Sequence, residues 1–260
     1  MLAEARVLSN RQVLPGAWLL RLVAPGLTAS ARPGQILLLG PTTGPHPALR
    51  SALPLHRIGQ GDVSLLFGAA DDGLAALARC RPGDVVSVQG PLGHGFQVDP
   101  ASRHLLLMAE GLGVAALAPL AAWAVAHGLA VTLLAGAPTA TGLLPAALLP
   151  AEVEYRLATG DGSLGHRGPL LDLLAAAGET SLLLWADQLF AAGSPGFYLG
   201  LRQAVSSVRT HPGAGFAQAM VEGRLGCGLG SCLGCAVNTR RGIIYLCKHG
   251  PVLDLNDLLL

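Results

Sequence analysis

Apolar and polar positions change rhythm twice along this chain. Up to about residue 98 the apolar residues fall in short runs, at Ala5–Leu8, Trp18–Leu22, Gln35–Leu39, Val63–Phe67 and Asp84–Gln89. Turn dipeptides separate them: Pro15-Gly16, Pro25-Gly26, Pro33-Gly34 and Pro82-Gly83. Short strands at this spacing predict an antiparallel barrel or sandwich. One helical stretch, Asp71–Arg79, interrupts them, and the glycine-rich GPLGHGF (Gly90–Phe96) closes the segment. From 104 to about 208 the pattern alternates in kind. Strands are expected at His104–Ala109, Val131–Ala135, Val153–Ala158 and Leu182–Trp185. Helices are expected at Val114–Ala126, from Gly168-Pro169 through Ala177, and at Gly196–Val208. Such alternation predicts a mostly parallel sheet. Residues 215–260 hold a cysteine-rich loop. The expected fold class is therefore multidomain α/β plus β. An N-terminal antiparallel β-barrel covers 1–98, a parallel α/β domain 99–212, and a small C-terminal domain 213–260.

Composition narrows this picture. With 51% hydrophobic and 13% charged residues, the chain cannot be intrinsically disordered, which requires the opposite balance. Seventeen Lys and Arg face sixteen Asp and Glu, a net charge of +1, so no field draws nucleic acid or an anionic membrane. The mean hydropathy of +0.50 raises the question of a membrane span, and Leu112–Ala151 carries no charge apart from His127. That stretch is broken by Pro119, Pro138, Pro145 and Pro150 and by Gly128, Gly136 and Gly142. A spanning helix needs about 20 apolar residues without repeated breakers, so no span is expected. The start, MLAEARVLSN, has an acid at Glu4 and no long apolar core, and reads as no export signal. The expected location is the cytoplasm.

The cysteines carry the most specific chemistry. Cys80 stands alone, while Cys227, Cys232, Cys235 and Cys247 follow the spacing C-x4-C-x2-C-x11-C. A disulfide framework does not suit a chain of this size without an export signal. A zinc site usually has two C-x2-C knuckles, and here there is one. The spacing is that of a plant-type [2Fe–2S] cluster. Gly226, Gly228, Gly230 and Gly234 alternate with the first three ligands, so backbone can approach the inorganic sulfides and aim N–H groups at sulfur. Cys80, in LARCRPGD, reads as a structural thiol.

The turn after the first α/β strand is Glu110-Gly111-Leu112-Gly113. N–H groups at a helix start attract a diphosphate, and glycine lets it approach. A lone G-x-G also fits a plain tight turn, and Glu110 would repel phosphate if it pointed inward. Both possibilities stand, with Gly111 and Gly113 as the nucleotide candidates.

A barrel, then a nucleotide-type α/β domain, then this cysteine loop resembles the ferredoxin-reductase superfamily. More closely it resembles the iron–sulfur electron-transfer subunits of type B dihydroorotate dehydrogenase. The family's C-x-D-G-P-V-F tail is matched by CKHGPVLD (Cys247–Asp254), its G-P-L-G-N-G-F by GPLGHGF, and its T-D-D-G-S-x-G-x-x-G by TGDGSLGHRG (Thr159–Gly168). Its G-G-G-x-G-V-A-P-L becomes AEGLGVAAL (Ala109–Leu117). The resemblance implies an FAD-binding barrel, an NAD-binding α/β domain and a [2Fe–2S] domain. It also implies an FMN-containing catalytic dehydrogenase as partner, in a heterotetramer serving pyrimidine biosynthesis. Electrons from dihydroorotate would cross the cluster to FAD and then to NAD.

Some motif positions depart from the family. Its flavin motif, R-P-(F/I/L)-S, falls on LRSALPL (Leu49–Leu55), with Ser51 at the arginine, Leu53 at the variable apolar position and Pro54 at the serine. Arg50 supplies a cation one residue early. The later G-T pair becomes Gly73-Leu74, and C-G-P becomes AAGSPG (Ala191–Gly196). Two other functions fit the same scaffold. One is a related subunit of a hydrogenase, a sulfide dehydrogenase or a ferredoxin–NADP complex, and the other is a cluster module that has lost its flavin.

Overall fold

The computed structural model describes residues 2–41, 50–175, 181–210 and 212–259. Sixteen strands are found among them. They are β1 (Leu2–Leu14), β2 (Ala17–Val23), β3 (Ile36–Pro41), β4 (Ser51–Pro54), β5 (Arg57–Ile58), β6 (Asp62–Gly68), β7 (Val85–Leu92) and β8 (His104–Glu110). Then come β9 (Ala130–Ala137), β10 (Glu154–Thr159), β11 (His166–Arg167), β12 (Gln188–Ala192), β13 (Ala217–Met220), β14 (Ala236–Thr239), β15 (Gly242–Tyr245) and β16 (Val252–Asp254). The α-helices are α1 (Pro25–Thr28), α2 (Asp72–Ala78), α3 (Val114–Ala126), α4 (Leu182–Trp185), α5 (Pro195–Val208) and α6 (Leu246–His249).

The chain groups into two compact units. The first joins 1–95 with 221–238 and 242–252, and the second joins 96–220 with 239–241 and 253–260. A separate third domain is expected at 213–260. In the structure much of that segment packs with the N-terminal strands, as expected of a stretch too short to bury a core alone.

The first unit is a seven-stranded antiparallel sheet in the order β4-β3-β7-β1-β2-β6-β5. Alternate residues point inward, and Leu20, Leu22, Leu37, Leu39, Leu65, Val86 and Val88 form much of the core. The edge strands β4 and β5 are joined by Leu55-His56. There Leu55 N–H donates to Gln35 O at 3.0 Å and His56 N–H to Ser64 O at 2.9 Å, so the chain itself curls the sheet into a barrel. Pro54, which lacks an N–H, is tolerated because β4 is an edge strand.

The second unit is a sheet in the order β11-β10-β9-β8-β12-β13-β16, parallel from β11 through β13. The interiors of its central strands are buried and mostly apolar, with Thr132 in β9 and Gln188 at the start of β12 as buried polar residues, as expected where both faces are covered. Helix α3 is buried on most of its surface and packs on β8 and β9.

Two expectations are corrected. Leu182–Trp185 is the short helix α4, and the strand is β12 at Gln188–Ala192. A four-residue apolar run fits either period. Asp187 accepts the N–H groups of Arg103 and His104 at 2.7 and 2.8 Å, which starts the strand after it. The helix expected through Ala177 is a 3₁₀ segment at Leu170–Ala175, with 176–177 outside the described residues. No helix among the described residues is long and apolar enough to cross a membrane.

Candidate functional site

All four spaced cysteines lie in the first unit, in two pairs. The chain between Cys235 and Cys247 forms the hairpin β14–β15, whose return brings the fourth cysteine to the third. Leu246 N–H donates to Cys235 O at 3.1 Å, and the two sulfurs lie 3.4 Å apart, both buried. A tetrahedral ion holding two thiolates at about 2.3 Å would space them by about 3.8 Å. Cys227 Sγ accepts the N–H groups of Leu229 at 3.3 Å and of Cys232 at 3.4 Å. The cysteines thus stand as two pairs, which is how a dinuclear cluster with two thiolates per iron divides its ligands. Among the described residues the four thiols are set as these two pairs and not as a closed group of three or more around one point.

Electrostatics fit the same group. The Ser231 hydroxyl, the Leu229 and Cys232 N–H groups and the Cys232 side chain favour thiolate and pull the Cys227 thiol down to about 5. Burial first, then the adjoining Cys235 thiol, pushes Cys247 up to about 11. Two buried thiolates side by side would need a cation, and iron held by them would supply the charge that replaces their protons. Leu233, between the second and third cysteines, sits at φ 60, a left-handed conformation that L residues rarely hold outside functional loops. Cys80 lies elsewhere, against the barrel core. Its thiol faces Ala76 O at 3.6 Å, and burial raises its pKa.

The loop is seated on the barrel's outer face. Gly228, at φ +67, lies so close that a Cβ there would be 2.7 Å from Gln89 Nε2, 2.9 Å from Leu92 Cδ1 and 3.1 Å from Leu38 Cδ1. This explains why β3 is apolar without alternation: Leu37 and Leu39 face the barrel core, and Leu38 lies against the cysteine loop. Gln89 is buried for the same reason, with Nε2 donating to Cys227 O at 2.9 Å. The segment after Cys247 is held too. His94 N–H donates to Gly250 O at 2.5 Å, and any side chain at Gly93 would collide with that carbonyl. The GPLGHGF and CKHGPV motifs are two halves of one contact. Gln89 stands in the sequence only as the end of the strand-like run Asp84–Gln89, with no site role. Its signal was a polar residue ending the strand-like VVSVQ, beside a run in β3 that lacked alternation.

At the flavin-motif positions, Arg50 is half-buried at the start of β4 and donates to Gln89 Oε1 at 2.5 Å. Ser51, Leu53 and Pro54 lie on β4, paired with Leu39, Leu37 and Ile36, and Leu53 is buried. Gly73 and Leu74 open α2. There Asp71 Oδ1 caps the Leu74 N–H at 2.8 Å, and the Leu74 side chain packs on the barrel core. A guanidinium carries five N–H donors, so Arg50 fits a diphosphate while bonded to Gln89. The set lacks the hydroxyl that Pro54 replaces.

In the second unit, Gly111 and Gly113 stand at the carboxyl end of β8. Gly111 has φ +55 and an open Cβ direction, whereas a Cβ on Gly113 would collide with the Ala192 carbonyl. The glycine at 113 therefore answers to packing between neighbouring strand ends. Glu110 Oε2 accepts the Ser194 N–H at 2.9 Å, and Ser194 Oγ accepts from Phe197 N–H at 3.2 Å as the cap of α5. Glu110 thus ties the ends of β8 and β12 together. Brought close at these ends are Gly113, Glu110 and the AAGSPG loop, as in open α/β sheets that bind ligands outside their carboxyl edge.

Comparison with known proteins agrees with this geometry. Residues 222–259 match the family model of the iron–sulfur cluster binding domain of dihydroorotate dehydrogenase B. A solved structure of an NADH-dependent reduced ferredoxin-NADP oxidoreductase superposes with a TM-score of 0.81 at 20% identity, over 98% of this chain and 89% of that one. A ferredoxin NADP+ reductase from Neisseria gonorrhoeae with bound FAD and NADP superposes with a TM-score of 0.66 at 17% identity, over 80% and 92%. The dihydroorotate dehydrogenase B (NAD(+)) electron transfer subunit of Geobacillus thermodenitrificans is 30% identical over 98% of this chain and 97% of its own. With this likeness running almost end to end, the chain belongs to the family of dihydroorotate dehydrogenase B electron transfer subunits.

Proposed function

We propose that the chain relays electrons between an FMN-containing dihydroorotate dehydrogenase and NAD in pyrimidine biosynthesis, working in the cytoplasm as one half of a heterotetramer. The observation that carries this is the pairing of the four cysteines, Cys235 with Cys247 at 3.4 Å and Cys227 Sγ accepting the Cys232 backbone N–H at 3.4 Å, within a loop seated on a reductase-type barrel. When bound, a [2Fe–2S] cluster passes single electrons, and a flavin converts these to the two-electron parcel that NAD takes. Cys227, Cys232, Cys235 and Cys247 would hold the cluster. Arg50 would hold the diphosphate of FAD, with Ser51, Leu53 and Pro54 beside it on the edge strand and Gly73 and Leu74 at the start of α2. Gly111 and Gly113 would border the NAD site at the end of β8.

The oxidation of dihydroorotate itself is assigned to the FMN of the partner. The test is to assay the purified chain alone and with the partner subunit. The expected result is NADH-dependent reduction of artificial acceptors by the chain alone, and dihydroorotate-dependent NAD reduction only with the partner. Dihydroorotate turnover by the pure chain would refute the assignment. A second reading, a cluster module without flavin, draws on the Leu74 N–H already capped by Asp71 and on Pro54 in place of a hydroxyl. Flavin bands near 450 nm in the chain as purified decide between the two.

A further inference from the structure

Gln89 is 8% exposed although it lies on the outer face of β7, because the cysteine loop covers it. Its carboxamide makes two hydrogen bonds of opposite sense. Nε2 donates to the backbone carbonyl of Cys227 at 2.9 Å, and Oε1 accepts from the Arg50 guanidinium at 2.5 Å. The two ends of a carboxamide are conjugated. A cation at its oxygen draws density from the nitrogen and makes the N–H a stronger donor. That donor then withdraws density from the peptide of the first cluster ligand. Hydrogen bonds and charge next to a cluster set its reduction potential, and positive charge favours the reduced form.

We propose that Gln89 is a positioning residue that seats the first cysteine on the barrel and passes the charge of Arg50 to it, raising the potential of the cluster. The proposal rests on the cluster reading above but fails separately from it. Gly228 has no side chain to intervene, and a Cβ there would press on Gln89 Nε2, so the loop's backbone meets the carboxamide directly. The path Arg50–Gln89–Cys227 has three members and two bonds, so its coupling can be measured by a double-mutant cycle.

The experiment is an EPR-monitored redox titration of the full chain, loaded with iron and sulfide without oxygen, with iron content measured for each variant. Gln89→Met keeps the length and removes both bonds. Arg50→Met removes the charge, and Arg50→Lys retains it. In Gln89→Met the reduction equilibrium is expected to shift about tenfold toward the oxidised form, which is about 59 mV for one electron. Arg50→Met should shift it the same way, Arg50→Lys should restore part of the shift, and adding Arg50→Met to Gln89→Met should add nothing. Equal potentials for wild type and Gln89→Met at equal iron content would overturn the proposal, as would fully additive shifts in the double variant. If Gln89→Met loads no iron, Arg50→Met decides: an unchanged potential there overturns the proposal. A wild-type chain with no iron signal would instead overturn the cluster reading.

Discussion

Replacing Gly228 with alanine would lift the cysteine loop from the barrel. At φ +67 an L side chain costs about 1–2 kcal/mol through its Cβ. The added methyl would lie 2.7 Å from Gln89 Nε2, 2.9 Å from Leu92 Cδ1 and 3.1 Å from Leu38 Cδ1. Leu38 is fully buried and Leu92 and Gln89 nearly so, which leaves little room to give way. Overpacking of this kind costs about 1–3 kcal/mol. The sum, about 2–5 kcal/mol, weakens cluster retention by roughly thirty- to several-thousand-fold if it falls on the loaded state. The assay is iron per chain after anaerobic loading, followed by the rate of iron loss to a chelator. Gly16→Ala is the comparison. It has φ +73 with no atom within 4 Å of the new methyl, so it carries the backbone strain without the collision. Gly228→Ala should lose iron far faster than Gly16→Ala. Equal iron content and equal chelator resistance in the two variants would refute the seating of the loop on the outer face.

Three further outcomes follow from the geometry. Cys235→Ala should abolish the EPR signal of the reduced cluster, and Cys80→Ala, whose thiol sits on the barrel core, should leave it unchanged. Arg50→Ala should release flavin on gel filtration: a lost hydrogen bond to a charged group costs about 1.5–3 kcal/mol, roughly ten- to hundredfold in affinity. Flavin retention equal to wild type would remove Arg50 from the diphosphate site. Burial pushes the Tyr155 hydroxyl up to about 12, and that hydroxyl donates a hydrogen bond to Leu144 O at 3.0 Å. Its folded pKa exceeds the unfolded value, so this contribution is full below about pH 10 and is lost as pH rises toward 12. Urea midpoints should fall across that window in wild type and stay flatter in Tyr155→Phe, and parallel alkaline limbs would contradict the assignment.

The cluster was the most legible part of the sequence because its chemistry is fixed by spacing, and four thiolates at C-x4-C-x2-C-x11-C leave few alternatives. Strand runs with period two and the Pro-Gly turns gave the N-terminal strands, and the parallel sheet was legible from long apolar strands such as His104–Ala109. What the sequence hid were contacts made at long range. Nothing local to Gln89 says that a loop 138 residues on will cover it. Nothing local to Gly93 says that it meets Gly250. Leu182–Trp185 went astray because four apolar residues carry no period. Short edge strands such as Ser51–Pro54 and Arg57–Ile58 are held by their neighbours in the sheet more than by their own propensity.

The central claim is that these four cysteines hold a [2Fe–2S] cluster that carries electrons. Its most direct test is metal analysis with EPR on the full chain purified without oxygen. The account predicts two irons and two acid-labile sulfides per chain, no EPR signal as oxidised, and a one-electron signal with average g below 2 after reduction by dithionite or, with flavin present, by NADH. Stoichiometric zinc, with no iron and no signal on reduction, would contradict it.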